Sequence, residues 1–172
     1  MEEMFETYSD DDVPTGLVAR SLVHKLGLWH KASNVFLFRT DGRLVTQRRH
    51  ASKDVWPNSW DLSVAEHLKP GESYLEAAIR GLNEELGVTG VDLEPAGNEL
   101  RAVLEVAESG IKDCERQMCF RGVSDAETVP QADEVAEIRL YDLEELKTAM
   151  LESPNSFTPW FREHALDVGL FK

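Results

Sequence analysis

The sequence predicts an α/β fold in which a mixed β-sheet packs between helices. Strand-like runs occur before and after one strongly amphipathic helix, and two helical segments follow the last strand. No internal repeat or low-complexity tract interrupts this pattern. With 172 residues, 42% of them hydrophobic, the chain is long enough to bury one core, and we predict a single domain over residues 1–172.

The predicted elements follow one another along the chain. Residues 1–14 are acidic, and we expect them to be flexible as far as a turn at residues 14–16. Strands over residues 35–38 and 44–46 flank Asp41 and Gly42, a strong hairpin signal. Further strands are predicted over residues 60–65, 100–106, 117–123 and 135–140. Two helices are predicted after them, over residues 142–151 and 158–168, the first capped by Asp142 and Glu145.

The most informative element is the helix predicted between Ser73 and Gly87. Ser73 and Glu76 have the spacing of a capping box, and Gly87 suits a left-handed C-cap. The residues expected to form the buried stripe recur at helical spacing: Leu75, Ala78, Ile79, Leu82 and Leu86. A second face carries charges at intervals of four residues: Glu72, Glu76, Arg80 and Glu84. One face is therefore predicted for the core and the other for chemistry.

Two carboxylates of this helix, Glu84 and Glu85, lie on one sector on either side of Gly81. Carboxylates held together raise each other's pKa unless a cation lies between them, and hard divalent cations such as Mg²⁺ prefer carboxylate oxygens. The pair is therefore a candidate metal site. The alternative is an ordinary solvated face with glutamate–arginine pairs one turn apart.

The stretch from residue 66 to residue 88 resembles the Nudix box, Gly-x5-Glu-x7-Arg-Glu-U-x-Glu-Glu-x-Gly-U, where U is a bulky aliphatic residue. Seven positions match: Glu72, Arg80, Leu82, Glu84, Glu85, Gly87 and Val88. Two positions differ, since Glu66 replaces the first glycine and Gly81 replaces the glutamate after the arginine. The resemblance implies a Nudix-type α/β/α sandwich with a mixed sheet, in agreement with the predicted elements.

Nearly the whole chain, roughly residues 5–168, resembles the Nudix branch that includes isopentenyl-diphosphate isomerase. The matching stretches are residues 24, 28–30, 34–38, 47–49, 52–54, 56–57 and 60–63. The resemblance places five residues at or near the metal-ligand positions of that isomerase: His24, His30, His67, Asp113 and Glu115. It places Arg49 and Lys53 at positions that contact diphosphate. The isomerase also needs a cysteine where this chain has Ala65, which can neither donate nor accept a proton.

Composition limits the classes of partner. A net charge of −14 disfavours binding to a nucleic-acid polymer or to an anionic membrane. Cys114 and Cys119 lack zinc-site or disulfide spacing, and no signal peptide or long apolar span is seen, so we expect free thiols in the cytoplasm. Arg48, Arg49 and Lys53 stand out against the acidic background as a candidate phosphate site. Surface ion pairs with the excess acid are the alternative.

These observations predict a Nudix hydrolase, dependent on Mg²⁺ or Mn²⁺, that cleaves a diphosphate linkage in a small molecule. The residues assigned to catalysis are Glu66, Arg80, Glu84 and Glu85, with Arg80 orienting the glutamates of the box. Those assigned to the substrate are Arg49, Lys53 and His67, and those assigned to the metal are Glu84, Glu85 and Glu115. Two alternatives are a non-catalytic domain that binds a nucleotide or diphosphate, and an isopentenyl-diphosphate isomerase.

The two departures from the box are predicted to be connected. A glycine inside a helix costs about 0.5–1 kcal/mol relative to alanine, so Gly81 indicates a close approach to the helix. We expect the Glu66 carboxylate to occupy the space of the missing glutamate and to act as a metal ligand or general base. The alternative is that Glu66 faces solvent and the domain is slow or inactive.

Arg49→Ala gives a test of the basic cluster. We expect it to raise KM or to lower kcat/KM, by an amount that corresponds to roughly 1–3 kcal/mol of activation free energy, with little loss of stability.

Overall fold

The computed structural model describes residues 2–106 and 110–171. Nine strands are present in these ranges: β1 Met4–Tyr8, β2 Pro14–Ala19, β3 Trp29–Phe38, β4 Leu44–Arg49, β5 Trp60–Asp61, β6 Val64–His67, β7 Glu94–Val106, β8 Ile111–Val123 and β9 Val135–Tyr141. The α-helices are α1 Arg20–Leu26, α2 Tyr74–Leu86, α3 Leu143–Glu152 and α4 Pro159–Asp167, and a 3₁₀ turn spans Pro154–Ser156. Among the described residues, no helix has the length and apolar character that a membrane span requires.

Strand β3 is the centre of a mixed sheet. It runs parallel to β8 along its whole length and antiparallel to β6 and β4. Strand β7 pairs antiparallel with β8, β4 pairs antiparallel with β9, and β1 joins β3 through the pair Tyr8 and Trp29. The predicted mixed sheet is therefore confirmed.

Alternate residues of β3 face different helices, as the period of two in a strand requires. Phe36 and Phe38 pack in a cluster with Leu146, Met150, Phe157 and Phe161 from α3, α4 and the segment before α4. Val35 and Leu37 pack in a second cluster with Ala78, Leu82 and Leu86 of α2. Helices thus cover both faces of the sheet, and the predicted α/β/α sandwich is confirmed.

The first residues of the chain differ from the prediction. Residues 1–14 were expected to be flexible, but β1 and the start of β2 lie in this segment and pair antiparallel. Phe5 and Thr7 are both 2% exposed, because they alternate with outward-facing residues along β1. The acidic side chains find cationic partners: Glu3 contacts Arg20 at 3.0 Å, and Asp12 contacts Arg116 at 2.8 Å. Ion pairs with Arg20 and Arg116 therefore offset the repulsion between acidic residues that the prediction of a flexible segment assumed.

Helix α2 has the predicted ends but a different buried face. Ser73 and Glu76 form the reciprocal capping box, and Gly87 is left-handed with φ 66°. Leu75 and Ile79 of the predicted stripe are 41% and 48% exposed, which contradicts that part of the prediction. The buried residues are Ala77, Ala78, Gly81, Leu82, Glu85 and Leu86. The reason is that α2 turns its small residues toward β6, which approaches closely at Gly81.

Candidate active site

One cavity of about 520 Å³ brings together all of the predicted site residues. The eight are Arg49, Lys53, Glu66, His67, Arg80, Glu84, Glu85 and Glu115. They come from β4 and the loop after it, from β6, from α2 and from β8, so residues far apart in sequence meet because the central strands are neighbours. The cavity also contains residues that the sequence did not single out, among them Arg20, Asn34 and Gln117.

Arg80 forms ion pairs with the carboxylates on the α2 side of the cavity. Its Nη1 lies 3.0 Å from Glu66 Oε2 and 3.0 Å from Glu84 Oε2. Its Nε donates to Glu72 at 2.8 Å, and its Nη2 donates to the backbone carbonyl of His67 at 2.8 Å. Burial opposes the charged form of Arg80, but the hydrogen bonds that it donates to Glu72 and the negative charge of Glu66 raise its pKa. This geometry suits a residue that orients carboxylates.

The adjacent glutamates of α2 have different environments. The Glu84 side chain is 43% exposed and lies 3.3 Å from Lys69 in addition to its contact with Arg80. Glu85 is 6% exposed and accepts a hydrogen bond of 2.5 Å from Gln47 Nε2. Burial, followed by the charge of Glu66, raises the pKa of Glu85 to about 8. A buried carboxyl of this kind becomes fully charged near neutral pH only if a cation approaches it.

Gly81 packs directly against β6. A Cβ atom at this position would lie 2.5 Å from Val64 Cγ1 and 3.2 Å from Glu66 Cβ. Glu66 Cγ would lie only 3.5 Å away, so a side chain at position 81 and the Glu66 side chain compete for the same space. The Glu66 carboxylate then reaches the same Arg80 nitrogen as Glu84. The close approach predicted at Gly81 is present, and it comes from β6.

A second group of candidate metal ligands reaches the cavity wall at His67, Asp113 and Glu115. His24 from α1, His30 from β3 and His67 from β6 offer ring nitrogens within 4.8 Å of one another. His30, Asp113 and Glu115 form an overlapping group with the same limit. Glu115 Oε1 lies 2.8 Å from His67 Nε2 and 3.6 Å from His30 Nε2. We call these five residues the histidine–carboxylate cluster.

The donor chemistry of this cluster fits a divalent cation. His30 Nδ1 contacts the backbone carbonyl of Leu28 at 3.0 Å, which suits an Nδ1–H donor and leaves the Nε2 lone pair facing the cluster. Among the described residues, the buried His24 Nε2, His30 Nε2 and Asp113 Oδ1 atoms have no hydrogen-bond partner. Burial, followed by the neighbouring His67 and His30 rings, lowers the pKa of His24 to about 3. Buried polar atoms without a hydrogen-bond partner are rare, and a bound metal ion is one way in which such nitrogen and oxygen atoms are satisfied.

Comparisons with known proteins identify the family. The model of the NUDIX domain matches residues 28–161. The chain belongs to the Nudix family. An isopentenyl-diphosphate Delta-isomerase of Klebsiella pneumoniae is 31% identical over 152 residues, which cover 88% of this chain and 82% of the relative.

Two solved structures share the Nudix fold of this chain. One, from Deinococcus radiodurans, superimposes with a TM-score of 0.75 at 21% identity and covers 96% of this chain and 99% of its own. A MutT protein from Methanosarcina mazei gives a TM-score of 0.64 at 20% identity and covers 83% of this chain and 94% of its own. At these identities the two structures support the fold and do not define the substrate.

The cationic side of this Nudix domain is more constrained than the sequence indicated. Arg49 Nη1 lies 3.2 Å from Asp61, whose side chain is 0% exposed, and Arg49 Nη2 donates to the Val55 carbonyl at 3.0 Å. Asp61 also accepts hydrogen bonds from Thr158 and Trp160. Removing Arg49 would therefore leave a buried charge without its partner, which typically costs about 3–5 kcal/mol. The contacts of Arg49 therefore predict a loss of stability in Arg49→Ala, in place of the small effect expected from the sequence.

Two further cations border the cavity, and each has an acidic neighbour. Lys53 contacts Glu134, and Arg20 contacts Glu3 at 3.0 Å. Burial, followed by the charge of Arg49, lowers the pKa of Lys53. Arg20 was missed because α1 is only seven residues long and its N-cap residue, Ala19, has no side chain that could cap the helix.

The titration of Glu85 gives a prediction for the protein in the presence of a chelator. A carboxyl whose pKa is raised by folding binds its proton more tightly in the folded state than in the unfolded state. The protonated Glu85 carboxyl therefore stabilises the fold fully below the ordinary pKa of 4.5, and this stabilisation is lost as pH rises towards about 8. We expect the melting temperature of wild type to fall relative to that of Glu85→Gln across this range. Thermal unfolding of both proteins at a series of pH values measures the difference, and a constant difference would contradict the prediction.

Proposed function

We propose that this Nudix domain hydrolyses the diphosphate linkage of a small molecule with Mg²⁺ or Mn²⁺ as cofactor. The observation that carries the proposal is the cavity itself, where the carboxylates of α2 border the same space as Arg20, Arg49 and Lys53. Three members of the histidine–carboxylate cluster also border it: His67, Asp113 and Glu115. Metal-dependent hydrolysis of a diphosphate needs acidic groups that bind the cation and basic groups that bind the phosphates, and this cavity contains both kinds.

The carboxylates are proposed to divide the work between them. Glu84, Glu85 and Glu115 would hold the cation, which would supply charge neutralisation at phosphate oxygens and a lowered pKa for water. Glu66 acts as a further ligand or as the general base, since Arg80 holds its carboxylate beside that of Glu84. Arg80 orients these groups. The raised pKa of Glu85 supports the assignment, because a buried carboxyl in an acidic cavity has its lowest energy with a cation nearby.

The substrate is proposed to bind through Arg49, Lys53 and His67, with Arg20 as a fourth contact. Arg49 uses three N–H groups on Asp61 and Val55, and a guanidinium has five. A cavity of about 520 Å³ fits a small molecule, and the net charge of −14 argues against a nucleic-acid polymer or a membrane surface as partner. We place this activity in the cytoplasm, in one domain formed by residues 1–172.

Isomerisation of isopentenyl diphosphate is the second candidate, because a relative at 31% identity carries that name. Ala65 argues against it. This residue lies at the cysteine position of the isomerase and borders the cavity, where its methyl group cannot move a proton.

An assay with a panel of diphosphates tests the proposal. The purified chain is incubated with Mg²⁺ or Mn²⁺ and nucleoside diphosphate derivatives, dinucleotides and prenyl diphosphates, and release of phosphate or of a nucleoside monophosphate is measured. Metal-dependent turnover supports the hydrolase. Tight binding without turnover supports the non-catalytic module, and conversion of isopentenyl diphosphate to its isomer without hydrolysis supports the isomerase.

Lys53 provides the cleaner test of the cationic side. Lys53→Met keeps the aliphatic stem and removes the ammonium, and its partner Glu134 is 40% exposed, so the lost contact costs little stability. We expect kcat/KM for the diphosphate substrate to fall about tenfold or more, because one charged contact to phosphate is lost. Steady-state kinetics measure the change, with Lys147→Met as a control outside the cavity. Unchanged kcat/KM would remove Lys53 from the substrate site.

A further inference from the structure

A row of buried polar side chains leads from Glu115 to the cavity wall formed by β3. Gln117 follows Glu115 on β8, His164 lies on α4, and Asn34 lies on β3. Gln117, His164 and Asn34 are 3%, 0% and 1% exposed. Asn34 and Gln117 also border the cavity. The proposed mechanism uses none of these three residues, so their arrangement needs its own explanation.

Glu115 determines the orientation of the Gln117 amide. Its Oε2 accepts a hydrogen bond from Gln117 Nε2. A carboxylate offers only acceptors, so turning the amide over would place two oxygens against each other. Gln117 Oε1 is therefore directed at His164, whose Nε2 lies 2.7 Å away.

Gln117 in turn determines the tautomer of His164. Its Oε1 can only accept, so His164 Nε2 must carry the proton and donate it. Burial lowers the pKa of His164 to about 4, which keeps the ring neutral and leaves Nδ1 without a proton. Among the described residues, Nδ1 has no hydrogen-bond partner. A buried acceptor without a partner is tolerated better than a buried N–H without one, which favours the same tautomer.

The His164 tautomer decides which end of the Asn34 amide enters the cavity. The Asn34 Nδ2 atom is placed 2.9 Å from His164 Nε2. If Nε2 carries the proton, this orientation sets two N–H donors against each other. Turning the amide over instead lets Oδ1 accept from Nε2, whose single N–H is then shared between Gln117 Oε1 and Asn34 Oδ1. The two ends of an amide have nearly the same shape, so hydrogen bonding decides between them. The Asn34 NH₂ group is therefore turned away from His164, toward the cavity that Asn34 borders.

We propose that Asn34 donates a hydrogen bond to an oxygen of the bound diphosphate, and that His164 and Gln117 are positioning residues that hold the Asn34 NH₂ group toward it. The inference rests on the proposed function for its ligand. A neutral donor suits this wall, because it binds a phosphate oxygen without the desolvation cost of another buried charge.

Binding of inorganic pyrophosphate in the presence of Mg²⁺, measured by calorimetry, tests the proposal without requiring turnover. Asn34→Ala removes the donor, and His164→Phe keeps the ring but removes the nitrogens. We expect each variant to bind about tenfold more weakly than wild type, and the double variant to bind no more weakly than either single one. His164→Gln is the matched control, because its NH₂ group can still donate to Gln117 and Asn34, and we expect affinity near that of wild type.

Three results would overturn the proposal: unchanged affinity in Asn34→Ala, additive losses in the double variant, or absence of pyrophosphate binding by wild type. A merely structural role of His164 would give additive losses. If His164→Phe does not fold, ¹⁵N spectra of wild-type histidines decide, with His164 assigned by comparison with His164→Gln. A protonated Nε2 supports the proposal, and a protonated Nδ1 overturns it. The substrate panel tests the proposed hydrolysis separately, since binding can persist where turnover is absent.

Discussion

Glu85→Gln should lower metal-dependent hydrolysis by about a hundredfold or more while the fold persists. The exchange keeps the size of the side chain but removes the charge that a hard cation requires. The amide oxygen can still accept the hydrogen bond that Gln47 donates to Glu85. Since the pKa of Glu85 is raised to about 8, the carboxyl is largely neutral near pH 7 without a cation, and a neutral amide should fit its site at little cost. Steady-state kinetics measure the loss of hydrolysis, and thermal unfolding measures whether the fold persists.

Glu76→Gln is the matched control for Glu85→Gln. Glu76 lies on the same helix and forms the capping box with Ser73, a role that glutamine also fulfils. The control should retain both activity and melting temperature. Undiminished hydrolysis by Glu85→Gln would remove Glu85 from the site, whereas equal losses in both variants would indicate damage to α2 rather than loss of a ligand.

Gly81→Glu, which restores the glutamate of the Nudix box, should destabilise the protein by roughly 3 kcal/mol or more. The new Cβ would lie 2.5 Å from Val64 Cγ1, a distance that requires β6 to move. The added carboxylate would also lie beside Glu66, which is ion-paired with Arg80. Denaturant unfolding measures the loss, and we expect activity to fall with it. A stable and more active Gly81→Glu variant would contradict the steric explanation of the glycine.

Two further comparisons separate packing from charge at Gly81. Gly81→Ala should destabilise wild type but stabilise a Val64→Ala background by up to about 1 kcal/mol. The 2.5 Å contact with Val64 Cγ1 is then removed, the 3.2 Å contact with Glu66 Cβ remains, and the helical preference of alanine favours the variant. Exchanging both positions, Glu66→Gly with Gly81→Glu, should recover part of the stability that Gly81→Glu loses. It removes the Glu66 atoms that compete for the same space.

Local signals predicted much of the fold. The capping box at Ser73, the left-handed Gly87 and the hairpin at Asp41 and Gly42 each depend on residues close in sequence, and all three are present. Strand β1 was missed because it is short and lies in an acidic segment whose partners, such as Arg116, are distant in sequence. Helix α1 was missed because it has only seven residues and no side-chain N-cap. The long strands β7 and β8 were predicted only in their later parts, since their starts lack an alternating pattern of apolar residues.

The site could be predicted only as far as the box and the resemblance reached. Glu66, Arg80, Glu84 and Glu85 were found because they lie within one motif, and the cavity does contain them. Asp61 could not be recognised, because a single aspartate in a strand gives no sign that it will be buried against Arg49. Helical periodicity placed Leu75 and Ile79 in the core, but the orientation of α2 depends on the shape of β6, which only the tertiary structure shows.

The histidine–carboxylate cluster has a consequence for the stability of the folded protein. Its five members lie in α1, β3, β6 and β8 and span residues 24 to 115 of the chain. A cation held there would act as a cross-link that exists only in the folded state, so stability would rise with the logarithm of free metal concentration. Protein lacking metal would open more often, so a cation bound there would protect the folded chain as well as serve its chemistry.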